Sequence, residues 1–115
     1  MHIVNWVLPG ILIITFTIVG YGKLSGARAY HFAFIRWRLP QSFRIITGII
    51  ELLGAFLLII GIWFHTFAFI GSFLLLIVCI GGLLVHLANK DRIEDMASIM
   101  LLGLISIIYI AVVLL

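Results

Sequence analysis

The sequence predicts an all-α integral membrane four-helix bundle with a short interfacial segment between the first and second helices. Three observations carry this. Of the 115 residues, 65% are hydrophobic and only 10% charged; a soluble domain of this size cannot bury so much apolar surface, so lipid must be the solvent. Four apolar runs, each close to the roughly 20 residues that cross a hydrocarbon core, nearly exhaust the chain. The polar residues between them fall in short clusters of turn chemistry and basic charge. The chain reads as a single transmembrane domain, residues 1–115, with spans at about 3–20, 42–62, 66–88 and 96–115 and an interfacial basic and aromatic segment at 27–39.

The first run places Pro9 in its opening turns, where a missing backbone donor does least harm, and Asn5 and Trp6 at the membrane interface, where Trp concentrates. No Lys or Arg precedes it, so it is expected to be a retained helix and not a cleaved signal. Thr17 and Tyr21, one turn apart, offer hydroxyls on one face. The run is expected to close in the turn-forming GYGKLSG, with Lys23 at the membrane edge or snorkelling to it. ARAYHFAFIRWRL, residues 27–39, is too charged to span. Tyr30, Phe34 and Trp37 recur at helical spacing with Arg28, Arg36 and Arg38 around them, the composition of a segment whose aromatic side lies among headgroups and whose basic side meets phosphate. Pro40 then breaks the chain, Gln41 or Ser42 can cap the second span, and Arg44 sits in its first turn. The short Trp63-Phe64-His65 link makes the second and third spans an antiparallel hairpin. Asn89-Lys90-Asp91-Arg92 is a polar turn, and Asp91, Glu94 and Asp95 read as solvated, with the acids near the start of the last helix complementing its dipole.

Lys and Arg are placed unanimously. Lys23, Arg28, Arg36, Arg38 and Arg44 lie between spans one and two, Lys90 and Arg92 between spans three and four, and the N-terminus, the middle link and the C-terminus hold none. By the positive-inside rule the basic connections are cytoplasmic and both termini lie outside. The net charge of +3 is thus an orientation signal. Nucleic-acid binding is excluded as a function class, since no basic domain exists outside the membrane. One cysteine, Cys79, excludes an intrachain disulfide and a CxxC redox centre. No metal site is expected, because no two of His, Cys, Asp and Glu stand three or four apart within a span. No room is left for a soluble catalytic domain, so a working site must lie inside the bundle, at its rim, or on another polypeptide.

The candidate site centres on Glu51, a lone carboxylate in the middle of the second span, where an ionisable group is costly and needs a partner. The residues three and four away are Thr47, Gly48, Gly54 and Ala55, all small and all on one helix face. In membranes such a stripe marks close helix packing, which turns Glu51 into the bundle. Counting depth at 1.5 Å per residue, Lys23, Arg44, His86 and Cys79 converge with Glu51 on the cytoplasmic half, with Tyr21 and Thr47 beside them.

GYGKLSG, LPQSFRIITGIIELLGAFLLIIGIW with its Glu-Leu-Leu-Gly, and VHLANKD together resemble the DoxX-like family of small four-span bacterial membrane proteins, across roughly nine-tenths of the chain. Lys23 and Glu51 are the most telling positions. The resemblance implies a bacterial inner-membrane protein with a four-helix fold. It also implies a link to quinone-reducing oxidoreductases, such as thiosulfate:quinone oxidoreductase subunits, or to redox-stress complexes. On that basis the expected function is an accessory subunit of such a complex, with a quinone as the expected ligand of the Glu51 pocket. Two alternatives remain open: a non-enzymatic assembly module in which Glu51 pairs with Lys23 or Arg44, and a small proton- or cation-coupled transporter acting as a homo-oligomer.

Overall fold

The structure, a computed structural model, describes residues 2–114. The side chains of His2, Val4, Asn5 and Asp95 lie outside the described residues, and with them the sequence reading of Asn5 at the interface and of Asp95 at the last helix. Five helices account for the described chain: α1 His2–Ser25, α2 Arg28–Arg36, α3 Gln41–Gly61, α4 His65–Ala88 and α5 Ile93–Leu114. All but α2 contain a stretch long and apolar enough to cross a membrane: Trp6–Ser25, Gln41–Gly61, His65–Ala88 and Met96–Leu114. They form a ring, α1 against α3, α3 against α4, α4 against α5 and α5 closing onto α1, while α2 lies across one end against α3 and α1. The basic residues of the connections all belong to that end. This is the four-helix membrane bundle that the apolar runs predict.

Lipid removes most of the hydrophobic drive between helices, so association rests on close packing and buried polar contacts. Small residues supply the packing. A side-chain carbon on Gly48 would stand 2.9 Å from the Gly20 carbonyl and 3.1 Å from the Leu24 amide, so α1 and α3 touch backbone to backbone. One on Gly71 would stand 3.0 Å from the Gly54 carbonyl, which brings α3 and α4 equally close. Around these crossings Leu12, Phe16, Leu58, Leu75 and Tyr109 fill the core. Two buried hydroxyls spend their hydrogens on their own helices, Ser72 on the Ala68 carbonyl at 2.6 Å and Ser106 on the Leu102 carbonyl at 3.0 Å.

The GYGKLSG segment departs from expectation. All of it up to Ser25 is helical, and only Gly26, at φ +80°, is a turn residue. Gly20 admits α3 and Gly22 admits the Tyr30 ring; a side-chain carbon there would meet Tyr30 Cε2 at 2.7 Å. The helix ends in a Schellman motif, the Ala27 amide donating to the Gly22 carbonyl and the Gly26 amide to the Lys23 carbonyl. The same motif ends α2, with Arg38 at φ 60°, and α4, with Lys90 at φ 56°. The start of α3 also differs. Pro40 is its N-cap and has no side-chain group with which to cap it, and the Gln41 side chain is engaged elsewhere.

Because the atoms facing Gly48 are backbone and cannot swing aside, Gly48→Ala should force α1 off α3. The expected loss is about 1–3 kcal/mol, typical of overpacking, read as a lower thermal midpoint in detergent. At Gly81, where an added carbon meets nothing within 4 Å, the same change should leave the midpoint unmoved.

Candidate functional site

The close crossing of Gly20 and Gly48 sets Lys23, one turn beyond Gly20, beside Glu51, one turn beyond Gly48. Lys23 Nζ lies 3.0 Å from Glu51 Oε1, and the two side chains are 14% and 3% exposed. Lys23 therefore points into the bundle and does not snorkel. The approach is an ion contact off hydrogen-bond alignment, which leaves buried Oε1 able to accept a hydrogen bond. Arg44, the other expected partner, is buried but turns away. Its Nη1 donates to the Lys23 carbonyl and its Nε to Gln41 Oε1 at 2.7 Å. The guanidinium thus adds a second donor to a carbonyl that already accepts from the Gly26 amide, at the C-terminus of α1, where cations are favoured.

The pair forms part of the wall of a cavity of about 540 Å³ that runs from the middle of the bundle to α2. Besides Lys23 and Glu51, its polar lining is Tyr30, Thr47, His86 and Ser98, and the rest is apolar or aromatic, with Phe16, Phe34, Trp37 and Phe43 prominent. Thr47 spends its hydrogen on the Phe43 carbonyl at 2.7 Å. Tyr30, Phe34 and Trp37, placed among lipid headgroups by the sequence reading, instead turn inward and roof this cavity. Phe34 is 5% exposed, and Lys23 Nζ sits 6.0 Å from the centre of its ring. The opposite side of α2 faces out, with Arg28, Phe32 and Ile35 exposed. Burial, and after it the Glu51 carboxylate, push the Tyr30 phenol above its ordinary range, so it keeps its proton and remains a donor.

The roof is fastened at both ends. At its start, His31 Nδ1 donates to Gln41 Oε1 at 3.0 Å and Gln41 Nε2 donates to the His31 carbonyl at 3.1 Å. At its far end, Arg36 Nη1 and Nη2 donate to Asp91 at 2.6 and 3.3 Å, and Trp37 Nε1 donates to Asp91 Oδ2 at 3.1 Å. His86 Nδ1 reaches the same Oδ2 at 2.6 Å. Asp91 is therefore no solvated turn residue. Its side chain is 2% exposed, enclosed by donors from α2 and α4 at the edge of the bundle. The Arg36 guanidinium foremost, with His86 and Trp37, holds its carboxyl below the usual carboxylate range. An ionised carboxylate only accepts, so His86 Nδ1 carries the proton of their bond. Glu94, by contrast, is exposed and pairs loosely with Arg92 at 3.7 Å.

Of the residues singled out from the sequence, Lys23, Glu51, Thr47 and His86 meet at the cavity, and Arg44 braces it from outside. Tyr21 does not join them; it is 68% exposed on the outer face of α1. Cys79 is buried in the core and borders an apolar groove of about 250 Å³ between α4 and α5. Among the described residues no group of three His, Cys, Asp or Glu is placed to hold a metal. Asp91, Gln41 and the inward role of Trp37 escaped the sequence reading. The available signal was the acid five residues after His86, just past a residue that ends a helix in the left-handed conformation.

A model of the DoxX-like family matches residues 7–109. The chain belongs to the DoxX-like family. No curated protein and no solved structure matches it. The match takes in Lys23, Glu51, His86 and Asp91, so the ion pair, the cavity and the fastened α2 all lie within the DoxX-like region.

Two outcomes follow for this DoxX-like site. Lys23→Met strands a buried carboxylate, and loss of one partner from a buried pair costs roughly 3–5 kcal/mol. Adding Glu51→Leu should recover most of it, measured as a double-mutant cycle in unfolding. For Asp91, a folded pKa below the unfolded value of about 3.9 gives stabilisation that is full above that value and declines as pH falls beneath it. Thermal midpoints taken from pH 5 to pH 2 should therefore fall in wild type by a component that Asp91→Asn lacks.

Proposed function

We propose that this protein is a membrane subunit that holds a quinone-type ring in the cavity beside Lys23 and Glu51 and serves a redox partner, with no catalysis of its own. The observation that carries the reading is the cavity: about 540 Å³, walls largely apolar and aromatic, and an ion pair at its side with one carboxylate oxygen still able to accept. Small-molecule sites have this size and this sparing use of polar groups. Lys23 is a donor for a carbonyl oxygen and Glu51 an acceptor for a hydroxyl. The link between the DoxX-like family and quinone-reducing oxidoreductases supports the choice of ligand class. In this reading electrons belong to a partner redox protein, and the α2 end, rich in Lys and Arg, faces the cytoplasm of a bacterial cell with both termini outside.

A second reading is favoured by one observation, the direct Lys23–Glu51 contact at a close helix crossing. Here the protein is an assembly module whose ion pair fixes a single bundle arrangement. Gly81 separates the two readings. It lines the cavity, and a side chain there grows into open space. Protein purified in mild detergent should yield quinone on mass spectrometry of its lipid extract, with Gly81→Leu emptied of quinone yet as heat-stable as wild type, and Glu51→Gln depleted. Wild type without quinone, or Gly81→Leu carrying as much as wild type, would sink the binding reading and leave the assembly module.

A further inference from the structure

His86 is one of the polar groups of the cavity that the binding reading leaves unused. It lines the cavity, its side chain is 14% exposed, and its Nδ1 is committed to Asp91 at 2.6 Å. Its Nε2 has no partner among the described residues. The edge of its ring stands against Trp37, centroids 5.1 Å apart, so the imidazole is held on one side by a carboxylate and on another by the roof.

Its place relative to Glu51 follows from the packing of α3 on α4. Gly61 lies on Ala68, and Gly54 lies between Gly71 and Leu75. Carried onward, this antiparallel register sets His86 level with the first turn of α3, about 13 Å along the axis from Glu51 at 1.5 Å per residue. Side chains lean towards the N-terminus of their own helix, so on antiparallel helices Glu51 and His86 lean towards each other, closing the gap between polar atoms to on the order of 10 Å. A hydrogen bond of about 2.8 Å at each end leaves on the order of 5 Å between the two ligand oxygens, the span of a six-membered ring with oxygens at opposite positions.

We propose that His86, oriented by Asp91, is a second polar contact of the cavity, facing the Lys23–Glu51 pair, so that the site takes a flat ring with a hydrogen-bonding oxygen at each end. This rests on the binding reading above and specifies its ligand. Each pole offers both senses of hydrogen bond. Lys23 donates and Glu51 accepts; His86 Nε2 accepts when neutral and donates when the ring is protonated. A para-diketone and its dihydroxy form therefore both fit, and the ring stays bound whichever form a partner delivers. Asp91 acts through His86 and is a positioning residue.

The test uses the full chain in detergent, with Trp fluorescence reporting the binding of a short-tailed para-benzoquinone, its quinol, and a phenol of equal tail length carrying a single oxygen. Wild type should prefer the two-oxygen rings. His86→Leu should lower their affinity by roughly tenfold or more, the cost of a lost hydrogen bond at one end, and leave phenol binding as it was, which also reports an intact fold. His86→Gln, which keeps a donor and an acceptor, should restore part of the preference. Infrared spectra of the bound quinone, taken on the acid side where the His86 ring is protonated and Nε2 donates, should show both carbonyl stretches lowered in wild type, but only one lowered in His86→Leu and in Asp91→Asn. Equal binding of phenol and quinone by wild type, or a preference that survives His86→Leu, overturns the second contact while the binding reading stands. No binding of any probe by wild type overturns both.

Discussion

The Lys23–Glu51 pair is the contact on which the rest of the arrangement depends, and the glycines beneath it are its precondition. An ammonium and a carboxylate at this depth are costly unless they meet. They meet because Gly20 and Gly48 let α1 and α3 touch along their backbones, one turn from each charged residue. A side chain at either glycine would push the two helices apart at this crossing. Arg44 secures the same corner by donating to the Lys23 carbonyl, fixing the end of the helix that delivers the ammonium. One cation binds the acid, and the other holds the first in place.

A second constraint acts at the same end of the bundle. The chain between α1 and α3 could lie on the membrane surface as a basic anchor, and its outer side has the composition for it. Asp91 pulls it inward. The carboxylate gathers Arg36, Trp37 and His86 from α2 and α4, so the α4–α5 turn fastens the α1–α3 connection. Arg36 remains 55% exposed, able to meet phosphate on one side while donating to Asp91 on the other. Exposed ion pairs contribute little, as at Arg92 and Glu94; an enclosed acid with several donors is a tie of a different order.

The number of spans, the four-helix bundle, the α3–α4 hairpin and the inward face of Glu51 were legible because they follow from apolar length, from a very short link and from the spacing of small residues. Lys23 was legible as a neighbour by depth, although Arg44 stood as an equal candidate; only the Gly20–Gly48 crossing decides between them. What escaped has physical causes. GYGKLS looks like a turn because glycine serves turns and close helix contacts alike, and only the facing helix distinguishes the two. Tyr21 shares a depth with Lys23 but lies two residues away on a helix, which turns it to the outer face. The stripe of Tyr30, Phe34 and Trp37 was read correctly as one side of α2, but an aromatic face packs as well on protein as among headgroups. Asp91 joins residues 54 and 55 positions away, and no local pattern reports such a contact.

The cavity and the ion pair bear on each other energetically. A charged pair sealed on every side by hydrocarbon keeps the full penalty of leaving water, several kcal/mol per ion. Here one side of the pair borders open volume, because α4 presents Gly81 where a larger residue would enter the space, and because α2 is held over the end as a roof instead of collapsing into it. Whatever occupies that volume sets part of the polarity the pair experiences. An occupant whose oxygens hydrogen-bond to the pair would lower the penalty, whereas a lipid tail would leave it in full. Under the proposed binding role, the same pair that draws α1 to α3 would favour polar-ended rings over hydrocarbon in the cavity beside it, so that packing and selectivity would rest on a single interaction.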